Sequence, residues 1–376
     1  MNILIAPNSL KDAANAAEIA DAIEAGIARS QPGMQIRKMP IADGGEYTLE
    51  ILLNATGGKI VETETVDPLG RAISAAYGIT SDHTAIIELS QASGIALLSG
   101  KEKQPLHTST YGTGLQIRDA LERGCRNILL TLGGSATVDG GSGILSALGI
   151  GLFDKNGREL PRGGGNLIIL ESIDLSTMAE GLKESSFTIL CDVDNPLLGE
   201  KGAAMVFAPQ KGAGAMETMV LERCLANFAD KCEAFSGKNL VNMEGAGAAG
   251  GVPVGIKSFF KTTIIQGTEY ILNLLEADKQ IKWANVIITA EGSLDSQTFG
   301  GKAPSVLAGK GKAEGKMVIC IAGRVPHRFD QPDNLFDAVF SLQNQPMSLE
   351  ESIENTLSNI TNTAFEIGRL LGTVPQ

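Results

Sequence analysis

The segment NILIAPNSLKDAANAAEIADAIEAGIAR, residues 2–29, establishes a β-α rhythm at the start of the chain. Residues 2–6 are a short apolar run that is typical of a buried strand. From residue 12 to residue 29, apolar side chains recur on one helix face, at Ala16, Ile19, Ala20, Ile23 and Ile27. A strand at 35–41 and a helix at 46–54 repeat the pattern, so the sequence predicts an open parallel sheet.

The same rhythm returns towards the other end of the sequence. Apolar strands are expected at 286–290, 317–321 and 338–341, with helical connections at 296–313 and 348–371. We expect these strands to join the first two in one parallel sheet.

The middle of the chain is organised differently. Short strands are predicted at 60–66, 72–79 and 84–89, and the turn sequence Asp67-Pro68-Leu69-Gly70 indicates antiparallel pairing. Further elements are expected at 111–123 (helix), 127–132 (strand), 140–149 (helix) and 187–191 (strand). The sequence therefore predicts an α/β protein in which a mixed α/β domain, 67–282, is inserted into a parallel-sheet domain formed by 1–66 and 283–376.

Charge and composition restrict the classes of partner. With 31 Lys and Arg against 43 Asp and Glu, the net charge is −12, which disfavours binding to nucleic acid or an anionic membrane. The five cysteines are odd in number and form no C-x-x-C, so neither a disulfide framework nor a zinc site is expected. The start lacks the basic region of a signal peptide, and the longest clean apolar run, 144–153, is short for a membrane span. We expect a cytoplasmic protein, a monomer or homodimer, with small-molecule ligands.

Polar residues follow several strands of the expected parallel sheet. In chain order they are Ser9 and Lys11, then Asp43, Gly44 and Gly45, then Glu291, Asp295 and Lys302. Ligands of open parallel sheets bind beyond the carboxyl ends of the strands, so these residues are candidates for substrate binding and catalysis. Taken singly, each also fits a helix cap or a surface charge.

A loop rich in glycine and hydroxyl side chains, 132–143, lies between a predicted strand and a predicted helix. Unpaired N–H groups at a helix N-terminus bind phosphate. The candidate phosphate-binding residues are Gly133, Gly134, Ser135, Thr137, Gly140 and Gly141. The alternative is a long structural turn.

Asp192 and Asp194 follow the strand predicted at 187–191. Two carboxylates at this spacing suit Mg²⁺, which prefers hard oxygen ligands, or provide a base beside a ligand. The alternative is a polar turn before Pro196.

Other patterns in the sequence indicate what is absent. Residues 245–250 match G-x-G-x-x-G literally, but no convincing strand precedes them, so a dinucleotide site is not expected. The sequence contains neither a Walker-type phosphate loop nor a G-x-S-x-G hydrolase elbow. The three histidines have no metal-ligand spacing.

Together these segments resemble the bacterial-type glycerate kinase family, and the resemblance runs in order through nearly the whole chain. The segments that carry it are APNSLKDA (6–13), IADGGE (41–46), DPLGR (67–71), QASGIAL (91–97), TSTYGTG (108–114), GGSATVDGGSG (133–143), DVDNPLLG (192–199), APQKGA (208–213), GAGAAGG (245–251), AEGSLDSQ (290–297) and GGKAP (300–304). Each segment alone is weak evidence for the family, but their occurrence together in this order is specific to it.

The resemblance implies a flavodoxin-like domain with an inserted second α/β domain and a cleft between them. It also implies a kinase that transfers the γ-phosphoryl group of ATP, with Mg²⁺, to D-glycerate, giving 2-phosphoglycerate. Phosphorylation of the 3-hydroxyl and a kinase for another small hydroxy acid remain alternatives, and a non-catalytic sensor is the alternative from another class.

Phosphoryl transfer needs positioning and charge neutralisation more than covalent chemistry. On the resemblance, the loop 133–143 would hold the ATP phosphates, and Asp192 or Asp194 would hold Mg²⁺. Lys11 and Lys302 would neutralise the substrate carboxylate or the transferring phosphoryl group. Asp43 or Asp295 would orient or deprotonate the attacking hydroxyl.

The sequence departs from the family pattern at a few positions. Ala290 and Tyr47 stand where the family usually has Gly, Val138 where it has Asn, and Ser293 where it has Arg. Loss of an arginine at 293 would alter affinity or the preferred acid if that side chain contacts an anion in relatives.

Overall fold

The computed structural model describes residues 1–11, 13–45, 47–294, 301–326 and 335–373. In chain order the strands are β1 (Asn2–Ile5), β2 (Gln35–Lys38), β3 (Gly58–Val66), β4 (Ala72–Thr80), β5 (Thr84–Glu88), β6 (Asn127–Thr131), β7 (Gly151–Phe153), β8 (Ser172–Asp174), β9 (Ser186–Leu190), β10 (Lys261–Ile265), β11 (Val286–Ser293), β12 (Met317–Arg324) and β13 (Ala338–Ser341).

The α-helices are α1 (Ala16–Ser30), α2 (Thr48–Thr56), α3 (Ser90–Ser93), α4 (Tyr111–Glu122), α5 (Ser142–Ala147), α6 (Ala203–Phe207), α7 (Ala215–Ser236), α8 (Val252–Phe259), α9 (Gly267–Leu274), α10 (Ala277–Trp283), α11 (Ala303–Ala313), α12 (Leu349–Glu354) and α13 (Thr356–Leu371). No helix in the described ranges is long and apolar enough to cross a membrane.

The chain forms two compact units. The first unit comprises Met1–Ile51 and Thr268–Gln376, and the second comprises Leu52–Gly267. Both borders lie about fifteen residues before those expected from the sequence, which were 66/67 and 282/283. The reason at the first border is that β3 pairs along its whole length with β4, from Gly58↔Thr80 to Val66↔Ala72. At the second border, α9 and α10 contribute Leu272 and Ile281 to the core that contains Leu4.

The first unit is built on a five-stranded parallel sheet, which confirms the expectation from the terminal segments. Its order is β13-β12-β11-β1-β2. Numbered within the unit, that order is 2-1-3-4-5 from the β2 edge, the flavodoxin-like arrangement. Ile3 and Ile5 lie in the core on one face of the sheet and Leu4 in the core on the other, as strand alternation requires.

Helix α1 begins four residues after the predicted start at residue 12. Asn15 caps it, since its side chain accepts a hydrogen bond from the Glu18 amide (2.9 Å) and the Glu18 carboxylate accepts one from the Asn15 amide (2.9 Å). This capping box satisfies two N–H groups that would otherwise lack partners. The loop after β1 is therefore longer than predicted and keeps Ser9 and Lys11 outside the helix.

The second unit contains a six-stranded mixed sheet of order β10-β9-β6-β5-β4-β3. Strands β3, β4 and β5 are antiparallel, which confirms the expected hairpins, and β5, β6, β9 and β10 are parallel. Register places Glu88, Thr131 and Leu190 side by side at the carboxyl ends of β5, β6 and β9.

Candidate functional site

We call the carboxyl ends of the strands in the first sheet the first-unit edge. Strand β1 lies between β2 and β11, which is where the strand order reverses and where open α/β sheets bind ligands. The loop after β1 is tied to β11 because the Asn8 amide donates to the Ala290 carbonyl (3.0 Å). Predicted site residues on two distant parts of the sequence therefore meet here.

Asp43 is joined to the loop after β1. One oxygen of its carboxylate accepts a hydrogen bond from the Asn8 side-chain amide (3.4 Å), and the other accepts from the Gly45 backbone amide (3.2 Å). Asn8 is 5% exposed, and its side-chain oxygen accepts from the Ser9 amide (2.9 Å). The expected grouping of Ser9, Asp43 and Gly45 is thus built around Asn8, which sequence reasoning did not select. Gly44 adopts a positive φ of 78° and allows the turn.

Glu291 and Lys302 form an ion pair at the same edge. The ammonium of Lys302 lies 3.3 Å from a carboxylate oxygen of Glu291, which is almost completely buried, while the Lys302 side chain is 30% exposed. Gly292 lies beside the Lys11 backbone, because a β-carbon placed there would be 4.0 Å from the Lys11 amide. Glu291, Lys302 and the backbone of Lys11 therefore lie at the same edge. Asp295 lies outside the described residues.

We call the carboxyl ends of β5, β6 and β9 the second-unit edge. The loop after β6 is held at Gly134, whose carbonyl accepts from the Ile95 amide (2.8 Å), and at Ala136, whose amide donates to the Ser93 carbonyl (2.9 Å). Within the described residues, the amides of Gly133, Gly134 and Ser135 donate no hydrogen bond to protein. These half-exposed amides are available to an anion.

Helix α5 does not offer its first turn to a ligand. The buried carboxylate of Asp139 accepts hydrogen bonds from the amides of Gly141 (3.1 Å) and Gly143 (3.3 Å), and the Thr110 hydroxyl accepts from Ile144 (3.1 Å). Because these N–H groups are already satisfied by protein, the first turn of α5 is not the source of donors that the sequence reasoning assumed. Burial raises the pKa of the Asp139 carboxyl, and the donated hydrogen bonds oppose that rise.

Gly140 and Gly141 are buried away from the exposed part of the loop. A β-carbon at Gly140 would lie 2.6 Å from the Phe228 ring, and one at Gly141 would lie 3.2 Å from the Val252 carbonyl. Thr137 is also fully buried, and its hydroxyl has no partner among the described residues. Of the six residues predicted for phosphate binding, Gly133, Gly134 and Ser135 are the ones that reach the surface.

Asp192 and Asp194 follow β9, whose neighbour in the sheet is β6. Asp192 is half-buried and Asp194 exposed. Burial raises the pKa of the adjacent Cys191 thiol to about 11, and the charges of Asp192, Glu244 and Asp194 act in the same direction. The end of β9 is therefore an acidic surface, to which the exposed Glu244 also contributes.

The sequence matches the glycerate kinase family over residues 3–372. The chain belongs to the glycerate kinase family.

Relatives within the glycerate kinase family are similar over nearly their full length. The chain is 40% identical to a glycerate kinase of Halalkalibacterium halodurans, with 97% of each sequence covered. It is 38% identical to the glycerate 2-kinase of Escherichia coli, with 99% of this chain and 98% of the relative covered. A crystal structure described as that of glycerate kinase 2 from Salmonella typhimurium LT2 matches with a TM-score of 0.82 at 38% identity, covering 99% of this chain and 98% of that one.

The glycerate kinase family needs a divalent cation site if it follows the chemistry of other phosphoryl-transfer enzymes. Within the described residues, no group of three or more His, Cys, Asp or Glu side chains is placed to hold a metal. Mg²⁺ is commonly held by one or two carboxylates while phosphate oxygens and water complete its shell. Asp192 and Asp194 fit that role.

At two of the positions that depart from the glycerate kinase pattern, Tyr47 and Ser293, the structure shows a local feature related to the change. Tyr47 has a φ of 66°, a left-handed conformation that costs a non-glycine residue roughly 1–2 kcal/mol. Ser293 pairs in register with Arg324 on β12, so an arginine lies on the adjacent strand. Ala290 and Val138 are fully buried, and nothing in the structure explains why they replace Gly and Asn.

Sequence reasoning missed three buried polar residues of the second unit: Glu88, Asp139 and Lys211. Glu88, 1% exposed, accepts hydrogen bonds from the side chains of Ser90 (2.8 Å) and Gln91 (3.4 Å). The available signal was a carboxylate at the end of an otherwise apolar strand. Asp139 and Lys211 lie within motifs that carried the family resemblance, yet they were given no role.

Proposed function

We propose that the protein transfers the γ-phosphoryl group of ATP to D-glycerate, giving 2-phosphoglycerate and ADP. The observation that carries this proposal is the meeting of Lys302, Glu291 and the Lys11 backbone where the strand order of the first sheet reverses. A small hydroxy acid needs a cation for its carboxylate and an acceptor for its hydroxyl proton, and both kinds of group are present there. The names of the relatives support the same substrate.

In this proposal, the first-unit edge binds the acid. Lys302 and Lys11 neutralise the carboxylate of glycerate or the transferring phosphoryl group. Asp43 accepts a hydrogen bond from the attacking hydroxyl, while Asn8 and Gly45 hold the Asp43 carboxylate in place. A base positioned in this way typically contributes about 10²–10⁴-fold to the rate. Asp295, for which the sequence suggested the same role, is a second candidate outside the described residues.

The second-unit edge binds the nucleotide in this proposal. The amides of Gly133, Gly134 and Ser135 donate to phosphate oxygens, and Asp192 and Asp194 hold Mg²⁺. When bound, Mg²⁺ supplies charge neutralisation at the phosphate oxygens. The acidic surface at Asp192, Asp194 and Glu244 would otherwise repel the triphosphate.

The test is an ADP-release assay with ATP, Mg²⁺ and D-glycerate, followed by phosphorus NMR of the product. We expect ADP release that depends on glycerate and a phosphorus resonance coupled to the proton on carbon 2. A resonance coupled to the two protons on carbon 3 would keep the kinase and overturn the proposed position of phosphorylation. ADP release with glycolate or lactate but not with glycerate would overturn the substrate.

A further inference from the structure

Lys211 is a lysine buried beneath the loop after β6. It ends a single 3₁₀ turn, Pro209–Lys211, and is 4% exposed. Its ammonium donates hydrogen bonds to the Ser135 hydroxyl (2.7 Å) and to the Thr137 carbonyl (2.7 Å). The next residue, Gly212, has a φ of 100° and packs so closely on the Lys103 carbonyl that a β-carbon would lie 2.1 Å from it. The lysine is therefore held in one place by its own backbone.

A buried ammonium without a direct carboxylate partner is costly. The charged side chain that acts on Lys211 within the described residues is Asp139, and the hydrogen bonds found for that carboxylate come from Thr110, Gly141 and Gly143. Of the adjoining segments, Lys103 contacts Gly212 through its backbone, and Glu217 on α7 accepts from the Gly214 amide (2.8 Å). The positive charge is consequently only partly compensated within the protein.

The loop does not need this charge to be held. Three neutral hydrogen bonds already fix it: Ile95 to Gly134, Ala136 to Ser93, and the Thr108 hydroxyl to the Ala136 carbonyl (2.9 Å). What the Lys211 side chain adds is orientation of Ser135 and, when it is protonated, a positive charge. Because the Ser135 oxygen accepts from Lys211, the Ser135 hydroxyl proton points away from Lys211, and Ser135 is half-exposed, so this proton can be donated to a ligand.

We propose that Lys211 is a positioning residue of the nucleotide site: it turns Ser135 into a donor for phosphate and takes up a proton from the buffer when phosphate binds above it. The inference rests on the proposed function, since ATP phosphate is the anion concerned.

The direction of the proton movement follows from electrostatics. Burial lowers the pKa of Lys211 to about 7, although the negative charge of Asp139 opposes the shift. A phosphate group nearby favours the charged ammonium and raises that pKa. Between the two values, the free protein is largely neutral at Lys211 and the complex is protonated. Nucleotide therefore binds most tightly below pH 7, and its affinity falls as the pH rises through that value.

The test is isothermal titration calorimetry of the full chain with MgADP and MgATP at pH 8, in two buffers of different ionisation enthalpy. The titration of the nucleotide itself is subtracted, and saturating Mg²⁺ keeps the bound phosphates ionised. We expect uptake of about half a proton or more on binding. For Lys211→Met we expect roughly ten- to hundredfold weaker binding with no uptake. Ser135→Ala should bind less tightly than the unaltered protein and still take up the proton.

Lys183→Met is the matched control, because Lys183 is exposed and precedes β9 at the opposite end of that strand. It should match the unaltered protein in affinity and proton uptake. A folded Lys211→Met protein that keeps the affinity and the uptake would overturn the inference while leaving the proposed function intact. If that variant does not fold, the titration of the unaltered protein is the test. Nucleotide binding to the unaltered protein without proton uptake also overturns the inference. Absence of nucleotide binding to the unaltered protein would overturn the proposed function together with this inference.

Discussion

The carboxylate of Asp139 accepts two hydrogen bonds from Thr110, one from its backbone amide (2.8 Å) and one from its hydroxyl (2.9 Å). Both residues are fully buried. This contact joins the start of α4 to the loop that leads into α5. The shape of the loop after β6 therefore depends on the buried carboxylate of Asp139.

Replacement of Asp139 by Asn should destabilise the second unit. A neutral amide has one acceptor oxygen in place of two and leaves buried N–H groups unsatisfied, which we expect to lower the free energy of unfolding by about 2–4 kcal/mol. Urea unfolding followed by circular dichroism measures the change. Asp154→Asn is the control, because Asp154 also accepts from two amides but is only half-buried, and it should have little effect. Equal losses for the two variants would contradict the role assigned to burial.

Stability should rise with pH in a way that depends on Lys211. Its folded-state pKa of about 7 lies below the ordinary value of 10.5, so the unfolded chain binds more protons between these values and unfolding becomes less favourable as the pH increases. From pH 7 to 8.5 we expect this group to add about 1.5 kcal/mol to the free energy of unfolding. Urea unfolding at both pH values should show a smaller increase in Lys211→Met than in Lys183→Met. The same increase in the free energy of unfolding in both variants would show that the pKa of Lys211 is not lowered in the folded protein.

Loss of the Lys302 ammonium should impair turnover without unfolding the protein. If this cation neutralises charge in the transition state, Lys302→Met should lower kcat/KM roughly 10²–10³-fold. Lys310→Met on the same helix is a close control, since the Lys310 side chain is similarly exposed (28%) and is also paired with carboxylates, Glu269 and Asp278. Coupled ADP-release kinetics compare the two. A comparable loss of kcat/KM in both variants would show that the loss comes from a change in α11 and not from the missing Lys302 ammonium.

Removal of one of the two carboxylates proposed to hold Mg²⁺ should change the Mg²⁺ requirement of the reaction. In Asp192→Asn and in Asp194→Asn, one charged oxygen ligand becomes a neutral one, so the Mg²⁺ concentration for half-maximal rate should rise at least roughly tenfold. The measurement is turnover at saturating ATP across a Mg²⁺ series. Asp174→Asn, an exposed carboxylate that caps its own turn, should leave the series unchanged. Full turnover of Asp192→Asn at low Mg²⁺ would remove Asp192 from the metal site.

Arg324 should contribute to binding of the acid in place of an arginine at 293. Paired residues of parallel strands project from the same face of the sheet, so Arg324 and Ser293 share a face at the first-unit edge. We expect Arg324→Ala to raise the KM for glycerate roughly tenfold and to leave the KM for ATP nearly unchanged. Arg369→Ala, which removes an exposed arginine paired with Glu366, is the control. Unchanged KM values for both substrates would exclude this role.

The sequence predicted the strands of the first sheet and their order of appearance, because β1, β11, β12 and β13 are short apolar runs and helical patterns lie between the strands; β2, QIRK, is mostly exposed, and β7, β8 and β10 of the second unit were not predicted. It could not locate the unit borders, because β3 alternates in burial and belongs to a sheet only through its pairing with β4. Local pattern contains no information about which neighbour a strand will choose.

The candidate site was predictable in part for a related reason. Lys302 and Glu291 were selected because they follow a strand, and the structure brings them to 3.3 Å. Asp139 and Gly140 are neighbours in the same motif. Gly140 packs against Phe228, whereas Asp139 accepts hydrogen bonds from Thr110. Those partners lie on other elements, so composition alone assigned the whole loop to phosphate. Lys211 was missed because a lysine is usually exposed, and its burial is decided by the tertiary fold.

The pairing of β1 with β11 has a consequence for synthesis. Ile3 pairs with Val286, and the whole second unit is translated between them. At about 5–20 residues per second, roughly 15–60 seconds pass before β1 can meet this neighbour. The second unit, whose contacts are contiguous in sequence, can complete its core during that interval. Until β11 is made, the edge of β1 that will pair with it has no partner strand, and an unpaired apolar strand edge can pair with other chains.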